Sequence, residues 1–218
     1  MLDWQAIDTV LLDMDGTLLD LHFDSHFWLD LVPERYAQKQ GLALESARQW
    51  LHERIQQEQG SLSWYCLDYW TEQLDLPIAQ LKRDIMDRIG FRPGAEAFLQ
   101  ALRRSGRRTV IATNAHRDSL ALKIEVTGID QQVDLVICSH DFGYPKEEQA
   151  FWQALQEVEP FNPSRTLLVD DSLAVLASAR RYGIAHLLSI TQPDLQQPAR
   201  QITDFDATND FSEVIAAL

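Results

Sequence analysis

The chain has 218 residues, 45% hydrophobic and 24% charged, enough apolar material for one packed domain or for one domain carrying a sizeable insertion. Its 33 acidic residues against 19 lysines and arginines give a formal charge of −14, so a nucleic-acid polymer or an anionic membrane surface would be repelled over most of the molecule. No stretch approaches the roughly 18 consecutive apolar residues of a membrane span, and Met1-Leu2-Asp3-Trp4 carries neither the basic nor the apolar part of an export signal, so a cytoplasmic protein is expected. Cys66 and Cys138 lack a Cys-x-x-Cys spacing and read as buried thiols.

In chain order, the first strong signal is Val10-Leu11-Leu12, an unbroken apolar run that ends in Asp13-Met14-Asp15-Gly16-Thr17. Such a run suits a strand covered on both faces. Two acids at i and i+2 then project to one side at its carboxyl end, where open α/β sheets bind their ligands. From residue 18 the apolar spacing becomes helical, with helices expected near 24–40, 43–58, 63–74 and 77–89. Leu44, Ala47, Leu51 and Ile55 form one stripe and Ile78, Leu81, Ile85 and Ile89 another. From Arg92-Pro93-Gly94 onward, strands near 109–113, 135–139, 166–169 and 185–189 alternate with helices near 117–127, 147–158 and 172–182. That alternation predicts a Rossmann-like parallel sheet with right-handed crossovers, and an α/β fold class. The tail from Ile190, rich in Gln, Pro, Thr and Asp, is expected to wander over the surface before a last helix at 211–218. The domain division that follows is 1–17 with 92–218 as the α/β core and 18–91 as a helical insertion.

Each core strand delivers polar chemistry at its carboxyl end: Asp13 and Asp15 after the first, Thr113-Asn114 after the second, Lys146 in the loop after the third, and Asp170-Asp171-Ser172 after the fourth. Singly, each set has a bland reading, such as a turn, a surface lysine or a helix cap. Together, at four strand ends of one sheet, they form a site.

On these four signatures the chain resembles the haloacid dehalogenase-like phosphatase superfamily, over essentially its whole length. The resemblance implies a strand order 5-4-1-2-3, a helical cap inserted after the first strand, and Mg²⁺ as cofactor. It also implies Asp13 as nucleophile forming an aspartyl-phosphate, Asp15 as acid and base, and Thr113, Asn114 and Lys146 around the phosphoryl group. The metal would be held by Asp13, the backbone carbonyl of Asp15 and an acid of the late pair, with Asp171 favoured as the direct ligand and Asp170 behind it. Pro145 precedes Lys146 here, whereas the family usually places its proline after the lysine.

Selection of substrate would then fall to the cap. Most of its aromatic residues suit a small bundle's core, while Phe23, His26 and Phe27 follow the catalytic loop and are the candidates for contact with a flat leaving group. The stretch Leu18 to Trp28 resembles bacterial purine 5'-nucleotidases that act on GMP and IMP, which implies a purine nucleoside monophosphate as the small-molecule partner. A sugar phosphatase or phosphomutase of the same superfamily is the alternative, and a phospho-accepting receiver domain is the alternative from a different class. His22, His116 and His140 show no zinc spacing and receive no metal role. Oligomeric state is left open by the sequence.

Overall fold

A computed structural model describes residues 2–216. Six parallel strands, β1 (Thr9–Leu12), β2 (Arg108–Thr113), β3 (Leu135–Cys138), β4 (Thr166–Val169), β5 (His186–Ile190) and β6 (Asp206–Thr208), form one sheet in the order β3-β2-β1-β4-β5-β6. β1 is central, with Leu11 level with Val110 of β2 and Leu168 of β4. The order is the expected one, extended by β6, which pairs with β5 inside the tail predicted to be irregular. Asp206-Ala207-Thr208 has no apolar run and buries only Thr208, so its strand character comes from pairing with β5 rather than from a pattern of its own.

All four residues of β1 are buried, and alternation divides them between two layers. Val10 and Leu12 join Leu99, Leu102 and Ile111 on one face, while Leu11 joins Val110, Phe151, Trp152 and Leu168 on the other. Each fully buried Leu or Val contributes about 1.5–3 kcal/mol. Truncating Leu11 to Ala would also leave a cavity, at a total cost of about 2–5 kcal/mol.

The insertion is more broken than its periodicity suggests. The helix expected at 24–40 consists of α1 (His22–His26), a π-helical turn at Phe27–Leu31, and α2 (Val32–Gln40). Pro33 is the reason: it has no N–H to give to the preceding turn and its ring would clash there. The widened turn relieves this, with the Val32 N–H reaching back to the Phe27 carbonyl. After α3 (Leu44–Glu58), the helix expected at 63–74 appears as α4 (Leu62–Tyr65) and α5 (Leu67–Leu74), each capped by its preceding residue, Ser61 Oγ and Cys66 Sγ. The helix expected at 77–89 is α6 (Ile78–Arg83) followed by a 3-10 turn at Met86–Arg88. Phe27, Val32, Leu51, Trp70 and Ile78 give the insertion its own apolar cluster. α6 rests on α8 (Arg117–Thr127), after α7 (Ala95–Ser105).

The remaining helices are α9 (Gln149–Val158), α10 (Leu173–Tyr182) and α11 (Phe211–Ala216). The final two positions of the helix expected at 211–218 lie outside the described residues. Among the described residues no helix is long and apolar enough to cross a membrane.

Candidate active site

The carboxyl ends of β1, β2, β3 and β4 meet at one edge of the sheet. The Asp13 N–H donates to the Val169 carbonyl at 2.9 Å, which carries the β1–β4 pairing into the loop. Gly16 turns the chain at φ +82°, a conformation that L side chains rarely adopt. A Cβ there would stand 2.9 Å from Asp171 Cγ and 3.0 Å from Pro193 Cβ. The buried Thr17 hydroxyl accepts the Asp171 N–H at 3.1 Å, so the first and last motifs are clamped together.

Lys146 spans the cluster, its Nζ 2.5 Å from Asp13 Oδ1 and 2.7 Å from Asp170 Oδ2. All three side chains are nearly inaccessible to solvent. Asn114 holds the lysine's loop in place: its Oδ1 accepts the Lys146 N–H at 2.9 Å, and its Nδ2 donates to Glu147 Oε2 at 3.0 Å. The proline before Lys146 therefore does not keep the ammonium from the two acids. Thr113 Oγ1 accepts the Ala115 N–H at 3.0 Å, and Thr113 borders the same cleft. Ser172 caps α10 and gives its own N–H to Asp170 Oδ1 at 2.8 Å. Both Asp170 oxygens are thus engaged, whereas the Asp171 carboxylate accepts no hydrogen bond among the described residues.

Asp13, Asp170 and Asp171 each bring a carboxylate oxygen within 4.8 Å of the others. Burial, opposed by Lys146 and reinforced by Asp170, pushes the Asp13 carboxyl up to about 6. Burial and then repulsion from Asp13 and Asp170 hold Asp171 well above the usual carboxylate range. Burial also raises Asp170, against the pull of Lys146. On Lys146 burial disfavours the charge, but Asp13 and Asp170 outweigh it and keep the ammonium protonated. Three acids facing one ammonium lack positive charge, and an all-oxygen donor set of this kind fits a hard divalent cation.

A second charge chain, which sequence reasoning did not single out, starts from Asp15. Lys123 Nζ lies 2.6 Å from Asp15 Oδ1 and 2.7 Å from Asp24 Oδ2, and Lys82 pairs with the other Asp24 oxygen. Burial lifts Asp15 to about 6, with Lys123 opposing and Asp24 and Asp13 adding to the rise. On Asp24 burial is outweighed by Lys123 and Lys82, which hold the carboxyl below its usual range. On Lys123 burial is outweighed by Asp15 and Asp24, which push the ammonium up to about 12. One signal for this chain was present: Lys123 follows Leu120 by three positions, so both fall on the buried face of α8.

A cleft of about 610 Å³ opens over these groups. Trp28, Trp64 and Tyr65 of the insertion line it together with Asp13, Asp171 and Lys146. The structure does not bring Phe23, Phe27 or His26 to that cleft. Phe23 and Phe27 are buried, each with Lys82 Nζ 4.9 Å from its ring centre, and His26 Nδ1 faces Asp30 Oδ2 at 3.2 Å. Proximity along the chain suggested them, but the turn of α1 and the π-helical segment points their neighbours Ser25 and Trp28 outward instead.

Residues 7–183 match the haloacid dehalogenase-like hydrolase family, and the chain belongs to it; it is an enzyme, a hydrolase. The receiver reading is thereby set aside. Over 215 residues the chain is 43% identical to the GMP/IMP nucleotidase YrfG of Escherichia coli strain K12, covering 99% of this chain and 97% of that protein. Its fold is similar to that of a HAD phosphatase from Thermococcus onnurineus, with a TM-score of 0.79 at 22% identity over 95% of this chain and 96% of the other. It is also similar to the magnesium-bound HAD-hydrolase YfnB from Bacillus subtilis, with a TM-score of 0.67 at 18% identity over 96% and 97% of the two chains.

Proposed function

We propose that this enzyme is a Mg²⁺-dependent phosphatase of small phosphate monoesters, working through an aspartyl-phosphate, and that its substrates are purine nucleoside 5'-monophosphates such as GMP and IMP. The observation that carries this reading is the Asp13–Lys146–Asp170 cluster in a cleft that aromatic residues of the insertion also line. The preference for purine nucleotides is supported by the full-length likeness to a GMP/IMP nucleotidase.

In this mechanism the Asp13 oxygen that Lys146 does not hold attacks phosphorus, and the bond from phosphorus to the ester oxygen breaks. Asp15, raised to about 6, is poised near neutrality to give its proton to the departing nucleoside oxygen. A water then attacks the aspartyl-phosphate while Asp15 takes its proton, which releases phosphate and restores Asp13. Lys146 and Thr113 balance charge on the phosphoryl oxygens. Asp13, Asp171 and the Asp15 backbone carbonyl would hold Mg²⁺, with Asp170 orienting Lys146 behind them. When bound, the ion supplies positive charge to the crowded acids and to the phosphate.

In the same reading residues 18–91 act as a cap over the core formed by 1–17 and 92–218, and the base lies toward Trp28, Trp64 and Tyr65. The two cysteines are free thiols, which suits work in the reducing cytoplasm. A phosphate-release assay across purine and pyrimidine nucleotides and sugar phosphates, with Mg²⁺ or with chelator, tests the proposal. GMP and IMP are expected to lead, with activity lost in chelator. Equal rates on sugar phosphates would remove the nucleotidase assignment, and full activity in excess chelator would remove the metal.

A further inference from the structure

Sequence spacing gave the histidines no metal role, but the fold gathers two of them with a thiol. Cys66 stands at the start of α5 in the insertion, His116 at the start of α8 after β2, and His140 just beyond β3. One ligand atom from each lies within 4.8 Å of the others, and all three residues are half-buried. The two imidazoles meet edge to face, with ring centres 5.0 Å apart. His140 Nε2 is buried and meets no hydrogen-bond partner among the described residues, an arrangement that costs free energy unless something else takes up the nitrogen.

We propose that Cys66, His116 and His140 form a binding site for a soft divalent ion of the Zn²⁺ class that joins the helical insertion to the core beside the cleft. The donor chemistry separates this site from the carboxylate cluster. A thiolate and two imidazoles select Zn²⁺ or Co²⁺ over Mg²⁺, whereas the all-oxygen set of Asp13, Asp170 and Asp171 does the reverse. Zn–S and Zn–N bonds of about 2.3 and 2.0 Å in a tetrahedron place ligand atoms roughly 3.3–3.8 Å apart. Ligand atoms that all lie within 4.8 Å of one another reach that spacing with side-chain movements of at most about 1.5 Å.

The fourth position and the surrounding support are also at hand. Asp68 Oδ2 lies 3.6 Å from His116 Nε2 on an exposed side chain free to swing inward. His116 Nδ1 accepts the Asp118 N–H at 3.4 Å, so ligation through Nε2 moves the ring proton to Nδ1 and exchanges that cap for the Asp118 carboxylate, 4.0 Å away. Because one ligand belongs to the insertion and two to the core, occupancy clamps the insertion over the cleft, which His116 itself borders.

Titration of the full chain with Co²⁺ alone, in saturating Mg²⁺, tests the site. One equivalent is expected to bind with a thiolate-to-cobalt charge-transfer band and tetrahedral d–d absorption, both reversed by Zn²⁺. Cys66→Ser keeps a capping acceptor for the Tyr69 N–H and so preserves α5, but it should remove the charge-transfer band. His140→Ala should weaken Co²⁺ binding by at least about tenfold, the loss typical even of an outer-shell partner. Asp13→Asn and Cys138→Ala should leave the band in place, since Cys138 is turned to the Ala115 carbonyl. Absence of the band in the unaltered protein, or its survival in Cys66→Ser, would overturn the proposal.

Discussion

Asp13 and Asp15 are two residues apart and both are lifted to about 6, yet their partners differ, and so should the effects of removing them. Asp13 shares Lys146 with Asp170, whereas Asp15 is held by Lys123. Asp13→Asn removes the attacking oxygen, and GMP turnover at saturation is expected to fall by about 10³-fold or more with no phosphoenzyme on acid quench. Asp15→Asn keeps the nucleophile and removes only proton transfer, a loss of about 10²–10⁴-fold. With an ester whose leaving group needs no proton, Asp15→Asn should form the aspartyl-phosphate and then stall, so labelled phosphoenzyme accumulates. Equal loss of phosphoenzyme in both variants would contradict the separate roles. These two acids were legible in the sequence because carboxylates at a strand's end have few structural reasons to be there. Lys82 and Lys123 were not, because a lysine on a helix reads as solvated until its partner is known, and Asp24 lies 58 and 99 residues away from them.

Asp24 ties α1 to α6 and α8 through two buried ammonium groups, so the junction of these elements depends on one carboxylate. Removing one member of a buried charge set leaves the others uncompensated, and Asp24→Asn is expected to destabilise the fold by about 3–5 kcal/mol in denaturant unfolding. The same carboxyl sets a pH window. Its folded value lies below the ordinary 3.8, so its contribution is complete above about pH 4 and is lost as pH falls toward the folded value. The unaltered protein should therefore lose stability steeply below pH 4, and Asp24→Asn should lose less over that interval. Parallel slopes in acid titrations of both proteins would count against the assignment. Elements with a dense apolar pattern, such as β1 and α9, were legible from the sequence. β6 was not, since three residues pairing with one neighbour carry no periodicity, and the break after α1 was hidden because a π-helical turn shifts the register by a single residue.

Across the whole molecule, the insertion and the core meet through hydrogen bonds as well as charge. The Tyr65 hydroxyl of the insertion donates to Glu147 Oε1 at 2.7 Å, and Glu147 Oε2 accepts from Asn114 at 3.0 Å, one residue from Lys146. A hydrogen bond to a charged group is worth about 1.5–3 kcal/mol, so Tyr65→Phe should lower the melting temperature by about 3 °C or more and, if closure organises the site, kcat/KM for GMP by about tenfold. Removal of metal acts on the same whole. In the metal-free chain Asp13 and Asp15 have folded values near 6 against 3.8 when unfolded, so the folded state keeps protons that the unfolded state releases. Their contribution is fully present below about pH 4 and is lost as pH rises through 6. In chelator, the melting temperature should therefore be higher at pH 5 than at pH 7.5 by several degrees, and millimolar Mg²⁺ should raise it much more at pH 7.5 than at pH 5, because a cation binds the deprotonated acids. A net charge of −14 also relaxes on acidification, and Asp13→Asn separates the two causes: it removes one of the buried acids while leaving the rest of the surface charge intact. If the metal-free melting temperature rose equally from pH 7.5 to pH 5 in Asp13→Asn and in the unaltered protein, general repulsion rather than Asp13 would be responsible.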